Sequence, residues 1–442
     1  MAKAITKFVC QQCGAESPKW MGRCPQCGEW NSLVETRLPA PSEVAEKMIS
    51  RTKPQKLSQV KSIAQARIKI GIGEFDLVLG GGAVPGSVTL IAGEPGIGKS
   101  TLMLQLVDSI GRKSKTKNYT PVLYVSGEES LQQIKIRAQR LGLKTQQVLF
   151  FMETNTETIC TQIDELKPKL IVIDSIQTCW TNSLSGTAGS VGQVRESTAQ
   201  LLKLAKQEEM PLFLVGHVTK AGAIAGPKVL EHMVDTVVYL EGERFGAARL
   251  LRATKNRFGA TDEVGVFEMT DQGLVEVTNP SKLFLKQRVK KVPGSVVVAT
   301  LEGTRPVLVE IQALVVPTTL AVPRRISQGV DYRRLQLISA VLAKQLKLPL
   351  ATFDIYVNVA GGIRIEEPAS DLGVALAVIS SFKGIPLNPK IVCFGEIGLL
   401  GEIREVSQTA KRKKEARKLG FTTIISPEEF ASISQVSKRL FK

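Results

Sequence analysis

The sequence contains no apolar run long enough to span a bilayer, and its first residues lack the apolar stretch of a secretory signal. It also lacks a sustained basic amphipathic helix with a bulky apolar face, which argues against binding at a membrane surface. Aromatic residues make up only 5% of the chain, and this argues against specialised binding of carbohydrates or apolar ligands. We therefore expect a cytoplasmic protein without a membrane partner, in a compartment where thiols stay reduced.

Acidic residues are scarce relative to basic ones: 41 Asp and Glu stand against 58 Lys and Arg, for a formal net charge of +17. Such an excess raises the local concentration of polyanions through the long-range field and counterion release. Nucleic acid is thus the first candidate partner. At 442 residues the chain also exceeds what one hydrophobic core organises, which predicts two sizeable domains and a small module.

Four of the seven cysteines form two closely spaced pairs, each followed by glycine: Cys10, Cys13, Cys24 and Cys27. A gap of two residues brings both sulfurs of a pair to one side of a tight turn, and four thiolates close a tetrahedral Zn²⁺ site. Two disulfides fit poorly with a reducing compartment. We expect a zinc-binding module over residues 1–35. The other three cysteines lie in apolar segments and are expected in the core: Cys160, Cys179 and Cys393.

Residues 36–68 begin with a stretch rich in Pro, Ser, Lys and Glu that is typical of a linker. Short apolar runs then alternate with helical stretches, which predicts an α/β domain over 69–280 with a parallel sheet covered by helices on both faces. A second α/β domain is predicted over 286–442. The predicted strands are 87–92, 122–126, 170–174, 212–216, 236–240, 295–301 and 353–359; the predicted helices include 100–110, 130–141, 194–208, 332–344 and 370–381.

A P-loop follows the first of these strands and opens a helix, which is the context that makes the pattern specific. Its residues are Gly93, Glu94, Pro95, Gly96, Ile97, Gly98, Lys99 and Ser100, with Thr101 next in the helix. The glycines let backbone N–H groups converge on phosphate oxygens at a helix N-terminus. The pattern predicts an ATP site in which Lys99 reaches the β- and γ-phosphates and Ser100 binds Mg²⁺.

Carboxylates follow two of the other predicted strands. Asp174 ends the run 170–174, where P-loop enzymes place the second Mg²⁺ contact. Glu128 and Glu129 come just after the run 122–126, at the end of the sheet that should face the nucleotide. Glu128 is our first choice for the group that orients or deprotonates water. In the alternative, both glutamates only complement a helix dipole.

His217 and Lys220 follow the predicted strand 212–216. Such side chains either sense the γ-phosphate or serve a local turn, and the sequence leaves both open.

Two further stretches point to a family. They are Leu79-Gly80-Gly81-Gly82, ahead of the P-loop, and Lys255-Asn256-Arg257-Phe258-Gly259. Together with the four-cysteine module and the P-loop, they make the whole chain resemble the RadA (Sms) family of bacterial DNA repair and recombination proteins. The five-residue signature is specific to that family, whereas many ATPases share the P-loop.

The resemblance implies a RecA-type ATPase that forms a hexameric ring, moves on single-stranded DNA and promotes branch migration of branched DNA with the RecA recombinase. It makes Lys255 and Arg257 functional residues. They contact the γ-phosphate of a neighbouring subunit's ATP, which we favour, or they grip DNA phosphates; a solvated basic turn is the third alternative. Segment 183–193 resembles the loop that RecA-type proteins direct at the ring centre, although a plain connection also fits.

The region 286–442 resembles the proteolytic domain of Lon-type proteases. Ser370 falls near their nucleophile, but Ala410 stands where those enzymes carry the dyad lysine, so we expect an inactive site. The cationic run 411–414 lies beside that position. Helix 408–419 offers its basic residues either to DNA or to solvent. An ATP-dependent protease and a nucleotide-switched scaffold similar to circadian clock ATPases remain the alternative functions.

Overall fold

A computed structural model describes residues 5–10, 15–30, 32–38, 67–113, 121–217, 227–242 and 248–441. The chain divides into two compact units. The first comprises Met1–Glu241, Leu250–Thr261 and Met269–Glu276; the second comprises Gly242–Arg249, Asp262–Glu268 and Val277–Lys442. The second unit thus includes two short segments of the range that the sequence assigned to the first α/β domain. Its continuous part begins a few residues before the predicted boundary at 280–286.

The first unit starts with a small antiparallel sheet in the order β2-β1-β3. Its strands are β1 (Ile5–Cys10), β2 (Glu16–Ser17) and β3 (Leu33–Leu38). Six residue pairs join β1 to β3 in continuous register. Cys10 lies at the end of β1.

The larger part of the first unit alternates strands with helices, as the sequence predicts. In chain order the elements are α1 (Gly73–Val78), β4 (Val88–Gly93), α2 (Lys99–Lys113), β5 (Val122–Ser126), α3 (Leu131–Arg140), β6 (Val148–Phe151), α4 (Thr156–Leu166), β7 (Leu170–Asp174), α5 (Val191–Gln207), β8 (Leu212–His217), α6 (Pro227–Glu231), β9 (Thr236–Glu241) and β10 (Ala248–Asn256). Two more strands follow in the chain, β11 (Val264–Thr270) and β12 (Gly273–Glu276).

The strands of this unit are neighbours in the order β10-β9-β4-β8-β7-β5-β6. From β9 to β6 every pairing is parallel, and β10 joins antiparallel to β9. All residues of β4, β5 and β7 are buried, because helices cover both faces of a parallel sheet. The carboxyl ends of β4, β5, β7 and β8 therefore meet at one edge of the sheet.

Local sequence signals fix several helix ends. Ser130 and Gln133 form a capping box at the start of α3, each side chain accepting from the other's backbone N–H. Asn155 caps α4, and its side chain accepts from the backbone N–H of Thr158. Helix α5 begins at Val191, three residues earlier than predicted. Its first turn thus takes in Gln193, whose side chain binds the preceding loop.

The second unit contains a mixed sheet in the order β15-β16-β14-β13-β17-β20 and a small pair, β18-β19. Its elements are α7 (Pro280–Phe284), β13 (Ser295–Glu302), β14 (Arg305–Pro317), β15 (Arg325–Gln328), α8 (Tyr332–Leu346), β16 (Phe353–Val359), α9 (Asp371–Lys383), β17 (Ile391–Cys393), β18 (Glu396–Ile397), β19 (Ile403–Arg404), α10 (Thr409–Lys418), β20 (Thr423–Ile425) and α11 (Ile433–Leu440). The predicted α/β character of both regions is confirmed.

Helix α9 forms the centre of the second unit. Its residues from Asp371 to Ser380 are all buried. A Cβ added to Gly373 would lie 1.9 Å from a methyl carbon of Val298 in β13, so glycine allows the helix to approach the strand closely. This packing places Ser370, which precedes the helix, in the interior.

No helix in the described ranges combines the length and the apolar character needed to cross a bilayer.

Candidate functional site

The P-loop lies between β4 and α2, at the edge of the sheet where the parallel strands end. Gly93 ends β4, and Lys99, Ser100 and Thr101 open α2. Ile97 packs inward, whereas Glu94, Pro95 and Gly96 lie toward the surface. This arrangement presents backbone N–H groups and a helix N-terminus to one space, which is what binding of phosphate requires.

Gly93 and Gly98 of the loop have a positive φ that favours glycine, and Gly93 also approaches backbone closely. A Cβ on Gly93, at φ +156°, would lie 2.6 Å from the carbonyl oxygen of Leu240, and one on Gly98, at φ +114°, would lie 2.7 Å from the Met269 side chain. Gly96 differs, because a Cβ there would meet nothing within 4 Å. The space next to Gly96 is thus open, and a phosphate-binding loop needs such space for its ligand.

The Lys99 side chain is buried in the loop itself. Its Nζ donates to the carbonyl oxygens of Gly93 and Glu94, both at 2.9 Å. Burial lowers the pKa of Lys99 to about 8, while attraction to Asp174 and Glu128 opposes the shift. The ammonium is therefore charged at pH 7 and lies in the field of two carboxylates.

Asp174 provides the oxygen ligand expected beside the loop. Burial raises its pKa, and the interactions with Tyr124 and Ser100 oppose the rise. The Tyr124 hydroxyl donates to Oδ2 at 2.5 Å, whereas Oδ1 is buried and has no hydrogen-bond partner in the described ranges. The oxygens of Ser100 and Asp174 suit Mg²⁺, a hard cation that prefers oxygen ligands. When bound there, Mg²⁺ would neutralise phosphate charge.

The structure separates the two glutamates after β5. Glu128 accepts from the Ser175 hydroxyl and lies 3.2 Å from Nε2 of His217; the hydrogen bond with His217 is the main reason why its pKa is lowered to about 2. Glu129 instead pairs with Arg137 of α3. Both glutamates precede the N-cap Ser130, and the first turn of α3 itself contains no acidic residue. Glu128 is ionised and faces the P-loop lysine.

His217 ends β8 and is held from two directions. Its backbone N–H donates to Gln177 Oε1 at 3.1 Å, and its carbonyl oxygen accepts from Gln177 Nε2 at 3.0 Å. Its ring contacts Glu128, and Nδ1 is buried without a hydrogen-bond partner among the described residues. His217 thus joins the end of β8 to the segment after β7. Lys220, predicted beside it, lies outside the described residues.

Sequence reasoning missed three residues of this site: Tyr124, Ser175 and Gln177. Tyr124 has no signal of its own, since a tyrosine inside an apolar run is typical of any buried strand. Ser175 and Gln177 lie one and three residues after Asp174, and their partners lie just after β5 and at the end of β8. Only the strand order, in which β7 lies between β5 and β8, brings them together.

The two stretches that indicated a family contact each other. A Cβ added to Gly80 would lie 3.3 Å from the Cα of Gly259. Arg67 joins the same turns, donating to the carbonyl oxygen of Leu79 at 2.9 Å and to that of Phe258. Glycine at both positions therefore allows backbone to approach backbone.

Within the five-residue signature the two cations have different surroundings. The Nζ of Lys255 donates to the carbonyl oxygens of Glu231 and Val234, at 2.7 and 2.8 Å, at the end of α6; this is a favourable place for a cation. Arg257 is 53% exposed and contacts the buried carboxylate of Asp235 at 3.4 Å. Phe258 is 38% exposed. Lys255 thus binds within its own unit, while the side chains of Arg257 and Phe258 are exposed to solvent.

A buried amide makes several of the hydrogen bonds that hold the loop before α5. Gln193 accepts from the backbone N–H of Thr181 at 2.8 Å and donates to the carbonyl oxygen of Leu184 at 2.8 Å. It also lies 3.4 Å from the carbonyl oxygen of Gly186. The predicted DNA-contacting segment 183–193 therefore comprises a loop fixed by Gln193 and the first turn of α5.

Three of the four predicted zinc ligands meet in the small N-terminal sheet. The sulfurs of Cys10, Cys24 and Cys27 all lie within 4.8 Å of one another, and those of Cys10 and Cys27 are 3.6 Å apart. Cys13 lies outside the described residues. Three clustered thiols fit Zn²⁺, which thiolates bind tetrahedrally.

The remaining cysteines lie where the sequence predicted. Cys179 and Cys393 are buried and Cys160 is partly buried. Burial raises the pKa of Cys160 to about 11 and that of Cys179 to about 12. These thiols are therefore protonated at neutral pH, as expected of core residues.

In the second unit, the position of the Lon-type nucleophile is buried. The Ser370 hydroxyl donates to the carbonyl oxygen of Glu367 at 3.0 Å, and Ala410 is exposed. From the basic run beside it, Arg412 points inward and is fully buried. Its guanidinium pairs with Glu367 and donates to the carbonyl oxygen of Ala299 at 2.7 Å. An ion pair between a fully buried arginine and a partly buried glutamate thus lies three residues from the serine.

Replacement of Arg412 by Met should destabilise the second unit by about 3–5 kcal/mol, because it leaves the Glu367 carboxylate without its buried cation. The measurement is the free energy of unfolding of the second unit, taken from its transition when the full chain is unfolded in urea. Lys413→Met is the matched control in the same helix: Lys413 pairs with Glu428 near the surface at 2.6 Å, and its loss should cost less than about 1 kcal/mol.

Adding Glu367→Gln to Arg412→Met should restore part of the lost stability, since the amide keeps an acceptor but carries no charge. Equal destabilisation by the Arg412 and Lys413 variants would contradict the view that this ion pair is important to the unit.

Three family models match the chain. Residues 8–35 match the rubredoxin metal binding domain, 59–223 match the AAA domain, and 327–430 match the ChlI subunit of Mg-chelatase. The predicted architecture is thereby confirmed: an N-terminal zinc ribbon, a RecA-like P-loop core and a Lon-like C-terminal domain.

Relatives cover nearly the whole chain. The DNA repair protein RadA of Bacillus subtilis is 50% identical over 432 residues, which are 97% of this chain and 93% of the relative. The RadA of Listeria monocytogenes is 51% identical over 431 residues, again 97% and 93%. Among solved structures, a KaiC-like protein of Pyrococcus horikoshii is 19% identical, with a TM-score of 0.40, 48% of this chain and 98% of that chain covered. The RadB recombinase is 21% identical, with a TM-score of 0.37, 48% and 99% covered.

Proposed function

The chain belongs to the RadA family of DNA repair proteins, and on this premise we propose that it is an ATP-driven DNA translocase and helicase. It assembles into a hexameric ring, moves along single-stranded DNA and promotes branch migration of recombination intermediates together with RecA. The family supports hydrolysis of ATP in DNA repair and recombination. The ring, the movement and the RecA partnership are the steps that we propose beyond it.

The observation that carries the proposal is the cluster of charges at the carboxyl ends of the parallel strands. Lys99 interacts electrostatically with Asp174 and Glu128, and these residues come from three different strand ends. In the proposed reaction Lys99 binds the β- and γ-phosphates, Ser100 and Asp174 hold Mg²⁺, and Glu128 orients or deprotonates the attacking water. His217, bonded to Glu128, would report the state of the γ-phosphate to the segment after β8.

We further propose that the signature 255–259 acts between subunits. Arg257 is exposed to solvent, so it is the better candidate for the cation that contacts the γ-phosphate of ATP bound to a neighbouring subunit. Lys255 binds the end of α6, so we expect it to stabilise the position of Arg257 and the connection from β8 to β9. A contact of either residue with DNA phosphates remains the alternative role.

For the C-terminal domain we propose a role in ring assembly and in binding DNA, without peptidase activity. The Ser370 hydroxyl is bonded within its own turn, and a nucleophilic serine needs a nearby base. The exposed lysines of α10 would meet DNA phosphates. Casein should stay intact with the wild-type chain and ATP; digestion that stops in Ser370→Ala would restore the protease alternative.

The proposal predicts that single-stranded DNA stimulates ATP hydrolysis by the purified full chain, and that the stimulation fades between about 50 and 200 mM salt because binding releases counterions. Arg257→Ala should lose the stimulated rate by roughly 10³-fold, as expected for a group that stabilises the transition state, and Lys255→Ala should also lose stimulation because Lys255 supports the position of Arg257. The measurement is the steady-state ATPase rate at several salt concentrations.

Arg252→Ala is the matched control, because Arg252 lies in the same strand and pairs with Glu241 at 3.1 Å. Its rate should follow the wild type. An ATPase rate indifferent to DNA in the wild type would favour the nucleotide-switched scaffold instead. Mass photometry with and without ATP tests the hexamer in the same samples.

A further inference from the structure

Tyr124 is a buried residue of β5 whose polar end points into the nucleotide site. In the parallel pairing of β5 with β7, Ser126 lies opposite Asp174 and Tyr124 lies opposite Val172. The tyrosine is thus two residues before the partner of Asp174, on the same side of the sheet. Its hydroxyl reaches along β7 and donates to Asp174 Oδ2 at 2.5 Å.

The other oxygen of the same carboxylate is left for a different partner. Asp174 Oδ1 is buried and accepts no hydrogen bond in the part of the chain that the structure describes. A buried polar atom without a partner is costly, and a bound ion is one of the partners that can complete such a site. Since one oxygen is bonded to Tyr124, rotation of the carboxylate is restricted, and so is the direction of Oδ1.

We propose that Tyr124 is a positioning residue for magnesium: by holding Oδ2 of Asp174, it turns Oδ1 toward the metal that serves ATP. The inference rests on the proposed function, in which Asp174 and Ser100 hold Mg²⁺. Hydrogen bonds of this kind orient metal-binding carboxylates, and their loss lowers metal affinity about 10–100-fold.

Tyr124→Phe tests this role because it removes one oxygen atom and little else. The Tyr124 ring packs against Phe150 with centroids 5.6 Å apart, and phenylalanine keeps that contact. The variant leaves Asp174 with an unrestrained carboxylate at the same place in the sheet. We therefore expect Tyr124→Phe to lower the affinity for Mg²⁺ more clearly than it lowers the stability of the fold.

The experiment follows the binding of a fluorescent, non-hydrolysable ATP analogue to the full chain as Mg²⁺ is titrated. In Tyr124→Phe the Mg²⁺ concentration for half-maximal binding should rise at least about tenfold. Binding of the analogue without Mg²⁺ should match the wild type. Tyr239→Phe is the matched control: its hydroxyl donates to Glu231 at 2.7 Å, away from Asp174, so its Mg²⁺ curve should follow the wild type.

Phe150→Leu separates packing from hydrogen bonding, because it loosens the Tyr124 ring while keeping the hydroxyl. A Mg²⁺ curve shifted as much by Phe150→Leu as by Tyr124→Phe would overturn the inference. So would an unshifted curve in Tyr124→Phe when the wild type needs Mg²⁺. Binding that ignores Mg²⁺ in the wild type itself would instead refute the magnesium site of the proposed function, which keeps the two failures distinct.

Discussion

Replacement of Lys99 by Ala should abolish measurable ATP turnover and weaken ATP binding by about 10–100-fold. A charge-assisted hydrogen bond to phosphate contributes about 1.5–3 kcal/mol, and loss of a donor to the charge that develops in the transition state costs about 10²–10³-fold in rate. Translocation on DNA should fail with the turnover. Equilibrium binding of ATP and steady-state hydrolysis measure the two effects separately.

Lys135→Ala is the control for this substitution, since Lys135 is an exposed lysine of α3 in the same unit. It should keep wild-type binding and turnover. Because Lys99 is buried among carbonyl oxygens, thermal unfolding of the variant must be recorded as well. A folded Lys99→Ala chain that still hydrolyses ATP would remove the P-loop from the mechanism.

The pH dependence of ATP binding gives an independent readout of the same residue. The pKa of Lys99 is about 8 without nucleotide, and bound phosphates must raise it, since they favour the charged form. Below pH 8 the ammonium is charged in both states, so the affinity should be constant. Above pH 8 binding takes up a proton, so the affinity should fall, by up to tenfold per pH unit; Lys99→Ala should lose this dependence.

Much of the first unit could be predicted because its sequence signals are local. The predicted strands 122–126 and 170–174 agree with β5 and β7, since continuous apolar runs with turns at both ends suit a sheet covered on both faces. The P-loop required only its own residues and the strand before it. The start of α5 was placed too late, because the interactions of Gln193 with the loop are not visible in a hydrophobic pattern.

Side-chain directions at the site could not be predicted, because they depend on which strands are neighbours. The sequence placed Glu128 and Glu129 side by side after β5, and Glu128 was the first choice. Glu128 faces the site because Ser175 and His217 come from β7 and β8, while Arg137 from α3 draws Glu129 away. The role of Glu128 in activating water stays a prediction, and no local pattern required that choice.

The signature 255–259 shows a second limit of sequence reasoning. Its two cations look alike in the sequence, and one shared role was predicted for them. In the structure Lys255 binds the end of α6, more than 20 residues earlier in the chain, whereas Arg257 is displayed. The division of roles follows from the antiparallel pairing of β10 with β9, which brings Lys255 beside the segment that leads into β9.

Glu128→Gln should bind ATP and Mg²⁺ with nearly normal affinity and hydrolyse ATP about 10²–10⁴-fold more slowly. This is the range lost when a positioned general base is removed. The amide keeps the size of the side chain and can still accept from the Ser175 hydroxyl, so the local fold should persist. Single-turnover hydrolysis of bound ATP measures the chemical step without product release.

The state of Glu128 also fixes the pH behaviour of the wild type. Its pKa is lowered to about 2, chiefly by the hydrogen bond with His217, so the carboxylate is ionised from pH 5 upward. Protonation of Glu128 therefore cannot cause a loss of hydrolysis between pH 5 and 7. If His217→Ala allows the pKa of Glu128 to return toward its ordinary value, an acid limb should move up toward pH 4–5.

Glu129→Gln completes the argument, because the two glutamates are adjacent and differ mainly in direction. Glu129 pairs with Arg137 and contacts neither Ser175 nor His217 in the described structure, so its substitution should slow hydrolysis by less than tenfold. A large loss in Glu129→Gln with little change in Glu128→Gln would reverse the assignment. Equal, small losses would mean that water is activated by another group, and the phosphate-binding loop would then have to supply most of the rate by electrostatic stabilisation.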